Sequence, residues 1–272
     1  MSTPDPDGST RGAAVRLDAL LQQLFGTVPA LSVQTWDGSR VDHGTDDVLV
    51  HIRSRKALRR LLWAPGPLGV ARAYVCGEID VEGDFGRATS LLFDYADAVG
   101  TDRELDQVGR REVLRTTVLL GAVGPAPRPP DVALEAVGGY APVGVEMDRD
   151  LPVDLAAAVL GEPVPEEERT ADGPEGSRPV RLHVTHPDPL STLLAAWEKD
   201  DVEVVSVEPA RDDLLRTLAR RSGGLDQHWD EVVEAVGELQ ARVWRLSLAA
   251  GAENLRRHRV AAYRVRGERV AG

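Results

Sequence analysis

The 272-residue chain contains one cysteine, Cys76, and only two methionines and three phenylalanines. A single cysteine excludes an internal disulfide framework and any zinc site built on cysteines. Cys76 itself reads as a small buried residue in a helix. Long apolar runs are also lacking, and none approaches the roughly 18–20 residues that a membrane-spanning helix needs. The N-terminus, MSTPDPDGST, lacks the basic-then-apolar order of a secretory signal. The expectation is a cytoplasmic protein, either free or peripheral at the inner membrane face. Positive charge is in deficit: 32 lysines and arginines against 44 acids leave a net charge of −12, which argues against nucleic acid as a partner.

What is present is ordinary for a globular protein, with 42% hydrophobic and 28% charged residues. The length allows one large or two modest domains. Charge is unevenly placed. Residues 131–178 hold twelve acids and three arginines, whereas residues 241–272 hold eight arginines and two glutamates.

Along the chain, residues 1–12 are rich in Pro, Asp, Ser and Gly and are expected to be disordered. Leu17, Leu20, Leu21, Leu24 and Phe25 share one helical face, predicting an amphipathic helix over Val15–Phe25. Leu31–Trp36 and Val48–Arg53 read as strands around the turns Asp37-Gly38 and His43-Gly44. Ser54 can cap a helix over Arg55–Trp63. That helix carries Arg55, Lys56, Arg59 and Arg60 beside leucines and a terminal Trp63, a pattern able to lie on an anionic membrane. It equally fits a core-packed helix with a solvated basic face. A second helix runs through Ala71–Val75, Gly77 ends it, and Ile79–Glu82 reads as a strand. Asp84 can cap a helix through Tyr95, and Thr101 with Glu104 can cap another running to about Leu120.

The stretch Leu61 to Asp84 reads LLWAPGPLGVARAYVCGEIDVEGD. Its frame, LLWAP-x-x-LG-x-x-RAYV-x-G-x-ID-V-EGD, resembles the N-terminal domain of the cyclopropane-fatty-acyl-phospholipid synthase family. Those enzymes transfer a methylene unit from S-adenosylmethionine to an acyl-chain double bond of a membrane lipid. HWDEVVEAVGELQARVWRLSLAAGAENLRRHRV, from His228 to Val260, is a second echo of the family. The resemblance implies a sterol-carrier-like, lipid-binding α/β domain over residues 13–125. It covers about residues 31–125 and includes the proline-rich exit Gly121–Pro130.

In the family that exit leads into the cofactor-binding core. Here it leads into an acidic, Pro/Gly-rich stretch expected to be a linker over residues 126–178, with one short helix at Leu155–Leu160. A small βαβα domain is expected over residues 179–272: strand Val180–Thr185, helix Leu190–Glu198 capped by Asp188-Pro189, strand Val202–Glu208 and helix Arg211–Arg220. Gly223-Gly224 reads as punctuation before a long helix from about Asp226 toward Arg257. A final strand, Val260–Val265, is expected to pair with both Val180–Thr185 and Val202–Glu208, with the long helix packed across them. The fold class expected for the whole is α+β.

S-adenosylmethionine binding on a Rossmann-type sheet needs a glycine turn after one strand and an acid ending the next. Gly138-Gly139 and Glu146, in VGVEMD over Val143–Asp148, are the nearest candidates, but they lie too close together. The family's His-His-Tyr-Asp segment and bicarbonate-binding residues have no matching positions, and Ser247 and Leu255 replace aromatic residues of the C-terminal echo. No catalytic, cofactor-binding or metal-binding residue is therefore carried over. His183 and His186 lack a third clustered ligand. Trp229 and Trp244 read as core or interface anchors. Arg242, Arg245, Arg256, Arg257 and Arg259 read as a solvated or ion-paired face.

The expected protein is a non-catalytic lipid-binding or accessory relative of the family, without a cofactor. Its candidate lipid or membrane surface is Arg55, Lys56, Arg59, Arg60 and Trp63. Its expected partner is an acyl lipid or anionic membrane, a full-length methyltransferase, or a second copy. The alternative is a degenerate methyltransferase using S-adenosylmethionine on unsaturated phospholipid acyl chains.

Overall fold

The computed structural model describes residues 12–44, 47–64, 66–99, 107–132, 134, 141–161, 181–185, 190–191 and 202–269. The chain is α+β and forms two compact units, Met1–Leu134 and Glu135–Gly272. The expected N-terminal disorder, the Thr101/Glu104 capping box, Gly138-Gly139, His186 and the Asp188-Pro189 cap lie outside the described residues.

The N-terminal unit runs α1 (Ala13–Phe25), β1 (Ser32–Thr35), β2 (Arg40–Val41), β3 (Val48–Ile52), α2 (Arg55–Trp63), α3 (Pro67–Val75), β4 (Ile79–Gly83), α4 (Phe85–Val99) and α5 (Gln107–Leu119). Its sheet has the order β2-β1-β3-β4. β1 is parallel to β3, and the other neighbours are antiparallel. Strand alternation fixes which face is dry: Val48, Val50 and Ile52 point into a core shared with Leu31, Ala57, Ala73, Ala88 and Leu91.

Two caps differ in how they work. At α4 the Asp84 carboxylate accepts the Arg87 N–H at 2.8 Å, as its position before the helix predicts. At α2 Ser54 holds the N-cap position, but its hydroxyl makes no capping bond, which corrects the sequence reading.

Helix α1 begins after Gly12, which has no side chain to offer, and takes its cap from the β1–β2 turn. The Asp37 carboxylate accepts the Ala13 N–H at 2.8 Å, and Ser39 Oγ accepts the Ala14 N–H at 2.9 Å. Thr35 Oγ1 and Ser39 Oγ each donate to Asp37 at 2.7 Å. Burial works to raise the Asp37 pKa, but these donors outweigh it and hold the carboxyl well below the usual range. Asp37→Ala is expected to cost about 1 kcal/mol, typical of a lost N-cap, in urea unfolding. A group with a depressed folded pKa contributes fully above its unfolded value, about 3.9 for Asp. The difference between wild type and Asp37→Ala should therefore shrink as pH falls below that value.

The C-terminal unit contains α6 (Ala141–Asp150), α7 (Val153–Leu160), β5 (Arg181–Thr185), β6 (Val202–Pro209), α8 (Arg211–Gln227), α9 (Trp229–Val236), α10 (Glu238–Arg256) and β7 (Ala261–Arg269). The final strand pairs as expected. β7 lies between β5 and β6 and is antiparallel to both, so β5 and β6 run parallel to each other. Of their connection, Leu190 and Ser191 are described, and both are helical. Val205 forms a bulge in β6, an edge strand among the described residues.

Three expectations for this unit are corrected. Residues 141–160 are two helices rather than linker, because Met147, Leu151, Ala156, Val159 and Leu160 are buried in the same core as Leu214, Leu218, Leu225 and Trp244. Gly223-Gly224 does not end a helix, since α8 runs through it. The physical reason is close packing: a Cβ on Gly224 would sit 2.2 Å from the Val159 carbonyl oxygen. Lastly, the long terminal helix is broken after Gln227 and at Gly237, whose φ of 84° no helix accommodates. The helix that lies against β7 is α8, and α10 packs on α8.

Candidate lipid-facing surface

Helix α2 turns Ala57, Leu58 and Arg60 inward and leaves Arg55 and Lys56 in water. Arg60 is therefore no part of an outer surface, which corrects its place in the candidate set. Only 5% exposed, it donates through Nε and Nη2 to the two Glu78 oxygens at 2.9 and 2.8 Å. Its Nη1 donates to the Arg128 carbonyl at 2.9 Å. The paired carboxylate raises the Arg60 pKa against the opposing effect of burial. The sequence signal was available: Arg60 falls within the stripe Ala57, Leu61, Ala64, spaced at i, i+4 and i+7.

The other members remain on or near the outside. The Arg55 guanidinium lies 5.7 Å from the Trp36 ring centre, within cation–π range. Arg59 is half-buried alongside Gly124. Trp63 is 62% exposed, and its indole N–H donates to the Gly124 carbonyl at 3.2 Å. The proline-rich exit is thus bound along α2 rather than leaving the unit at once: Gly121 lies by Arg55, Gly124 by Arg59 and Trp63, and Arg128 by Arg60. Leu120 and Ala122 are buried against Leu58.

Three apolar residues absent from the candidate set accompany Trp63: Leu62, Leu68 and Val123 are all substantially exposed. Leu62 and Leu68 flank the tight corner between α2 and α3. Gly69 permits that corner, because a Cβ there would lie 1.9 Å from the Ala64 carbonyl oxygen. Pro67 in the first turn of α3 fits the same geometry. The motif's glycine and proline therefore shape an apolar, solvent-facing corner at the C-terminal end of α2, the helix whose first turn carries the exposed Arg55 and Lys56.

Cys76 is not inside a helix but caps the end of α3, and it is only half-buried. Burial pushes its thiol pKa up, Arg60 opposing and Glu78 adding, so it is no activated nucleophile. A shallow cleft of about 520 Å³ on the sheet is lined by Gln34, Trp36, His51, Arg53 and Glu82 among others. Its charges are satisfied locally: His51 Nε2 lies 3.0 Å from Glu82, and Arg53 pairs with Asp80 at 2.5 Å.

In the C-terminal unit, Val143–Asp148 is helical rather than a strand, so Glu146 does not end a strand as a ribose-binding acid would. Its carboxylate accepts the Trp244 indole N–H at 3.0 Å. Trp244 is fully buried and Trp229 packs against the same core, as read from sequence. The arginines are ion-paired: Arg242 with Glu238 at 2.8 Å, Arg245 with Asp226 at 2.8 Å, and Arg256 and Arg257 with the buried Glu253 at 2.5 and 3.0 Å. Arg259 is exposed. Ser247 and Leu255 are core residues. His183 lies on β5. Among the described residues no cluster of three or more His, Cys, Asp or Glu is placed to hold a metal, and no helix is long and apolar enough to cross a membrane.

The chain is an α+β protein whose helix α2 exposes two cations in its first turn and ends in an apolar, tryptophan-tipped corner. The chain matches no family model and no curated protein in comparisons with known proteins.

Proposed function

We propose that this chain is a non-catalytic, lipid-binding relative of the cyclopropane-fatty-acyl-phospholipid synthases that acts at an anionic membrane surface. One observation carries the reading: Trp63, Leu62 and Leu68 stand in water at the α2–α3 corner, at the end of the helix whose first turn exposes Arg55 and Lys56. Tryptophan belongs at the headgroup level, where its ring is buried and its N–H stays polar. Leucines beside it can enter the acyl boundary while cations meet lipid phosphates. The motif spanning the corner supports the family assignment, and the sterol-carrier-like fold assignment belongs to the same proposal. An accessory role beside a full-length methyltransferase is compatible with it.

The methyltransferase alternative loses its acidic residue, since Glu146 stands on a helix and is engaged by Trp244. The described C-terminal sheet is also antiparallel at every pairing.

Cosedimentation with phosphatidylglycerol vesicles tests the proposal, beside calorimetric titration with S-adenosylmethionine. Binding to vesicles is expected, with Trp63→Ala weakening partition about tenfold, the value of burying a large apolar side chain. Micromolar binding of S-adenosylmethionine, or no vesicle binding, would count against it.

A further inference from the structure

We propose that helix α5 is a second docking element for the same anionic bilayer, lying in the plane of the interface. This rests on the membrane reading above but uses a different element. Over its 13 residues, QVGRREVLRTTVL, α5 leaves Val108, Leu114, Val118 and Leu119 in solvent, with Leu114 63% and Val118 58% exposed. A helix held by its own unit normally turns such residues inward. Here the inward side is supplied by Thr116, which is buried. The chain then enters the adjoining core at Leu120.

The exposed face is basic as well as apolar. Arg110, Arg111 and Arg115 are exposed among the four apolar residues. Val108, Arg111, Arg115 and Val118 recur at i, i+3, i+7 and i+10, a single stripe. The helix's one acid, Glu112, is half-buried and lies 3.6 Å from Arg115. In a chain of net charge −12, most surface repels an anionic bilayer, so a cationic, apolar helix sets which side approaches it. α5 also leads directly into Gly121–Gly124, the segment bound along α2 beside Arg55, Arg59 and Trp63. Its length of about 20 Å suits a helix lying flat at the acyl–headgroup boundary.

The test uses the full chain with phosphatidylglycerol and phosphatidylcholine vesicles, with circular dichroism confirming the fold of each variant. The double variant Leu114→Ser/Val118→Ser should weaken binding to phosphatidylglycerol about tenfold or more through lost apolar burial. Arg111→Glu/Arg115→Glu should weaken it about fivefold or more per arginine, and only on the anionic vesicles. Val118→Trp should tighten binding while its circular-dichroism spectrum and unfolding midpoint stay those of the wild type. If Trp63→Ala weakens binding while all α5 variants leave it unchanged, the α5 proposal is overturned and the membrane reading survives. If the wild-type chain binds neither vesicle, both fall. If the α5 variants abolish self-association in sedimentation velocity without altering vesicle binding, the face is a protein interface and the proposal is wrong.

Discussion

Glu78→Ala is expected to lower the unfolding free energy of the N-terminal unit by about 3–5 kcal/mol, the cost of leaving one member of a buried ion pair alone. Arg60 and Glu78 are 5% and 8% exposed and meet through two parallel hydrogen bonds. Removing the carboxylate leaves a largely buried guanidinium that keeps its hydrogen bond to the Arg128 carbonyl. Arg60→Ala should do comparable damage and also release the Arg128 carbonyl, loosening the exit segment from α2. The double variant Arg60→Met/Glu78→Met separates burial of charge from loss of packing. It should recover most of the stability, because similar apolar volume replaces both charges without a desolvation penalty. Urea unfolding followed by circular dichroism checks the series, and proteolysis within residues 121–130 reports the exit segment. A double variant as unstable as the single ones would show that the site needs its charges.

The second large effect sits in the other unit. Gly224→Ala should destabilise it by about 3 kcal/mol, the upper part of the usual overpacking cost. The new methyl would meet the oxygen, carbon and Cα of Val159 at 2.2, 2.8 and 2.9 Å. All three are backbone atoms, so α7 itself must move away from α8. The neighbouring Gly223→Ala is the control. Its Cβ meets nothing within 4 Å, and alanine within a helix should raise stability by about 0.5–1 kcal/mol. Opposite signs at adjacent positions, read by thermal or urea unfolding, would identify contact rather than helix propensity as the reason for Gly224. Equal signs would refute the close-packing account.

Local pattern decided much of the fold. The α2 helix, the strands at Val48–Ile52 and Arg181–Thr185, and the Asp84 cap follow from periodicity and turn chemistry that act within a few residues. The pairing of the last strand was also legible, since an apolar strand needs edges to pair with and the chain offered two. Alanine-rich α7 was legible in part. α6 was not, because VGVEMD carries valines that suit a strand as well as a helix, and its burial with Trp244 and Leu248 comes from residues about a hundred positions away.

The candidate surface divides the same way. By itself the sequence determined a basic helix ending in tryptophan, a glycine–proline corner behind it, and a chain of net negative charge. Only the tertiary structure decided that Arg60 is inside and bound to Glu78, that Leu62, Leu68 and Val123 stand out beside Trp63, and that Asp37 caps a helix beginning 24 residues earlier. Each of those outcomes depends on a partner distant in sequence. A helical period sets which side chains share a face, whereas the neighbour that buries, pairs or exposes that face is supplied by the rest of the fold.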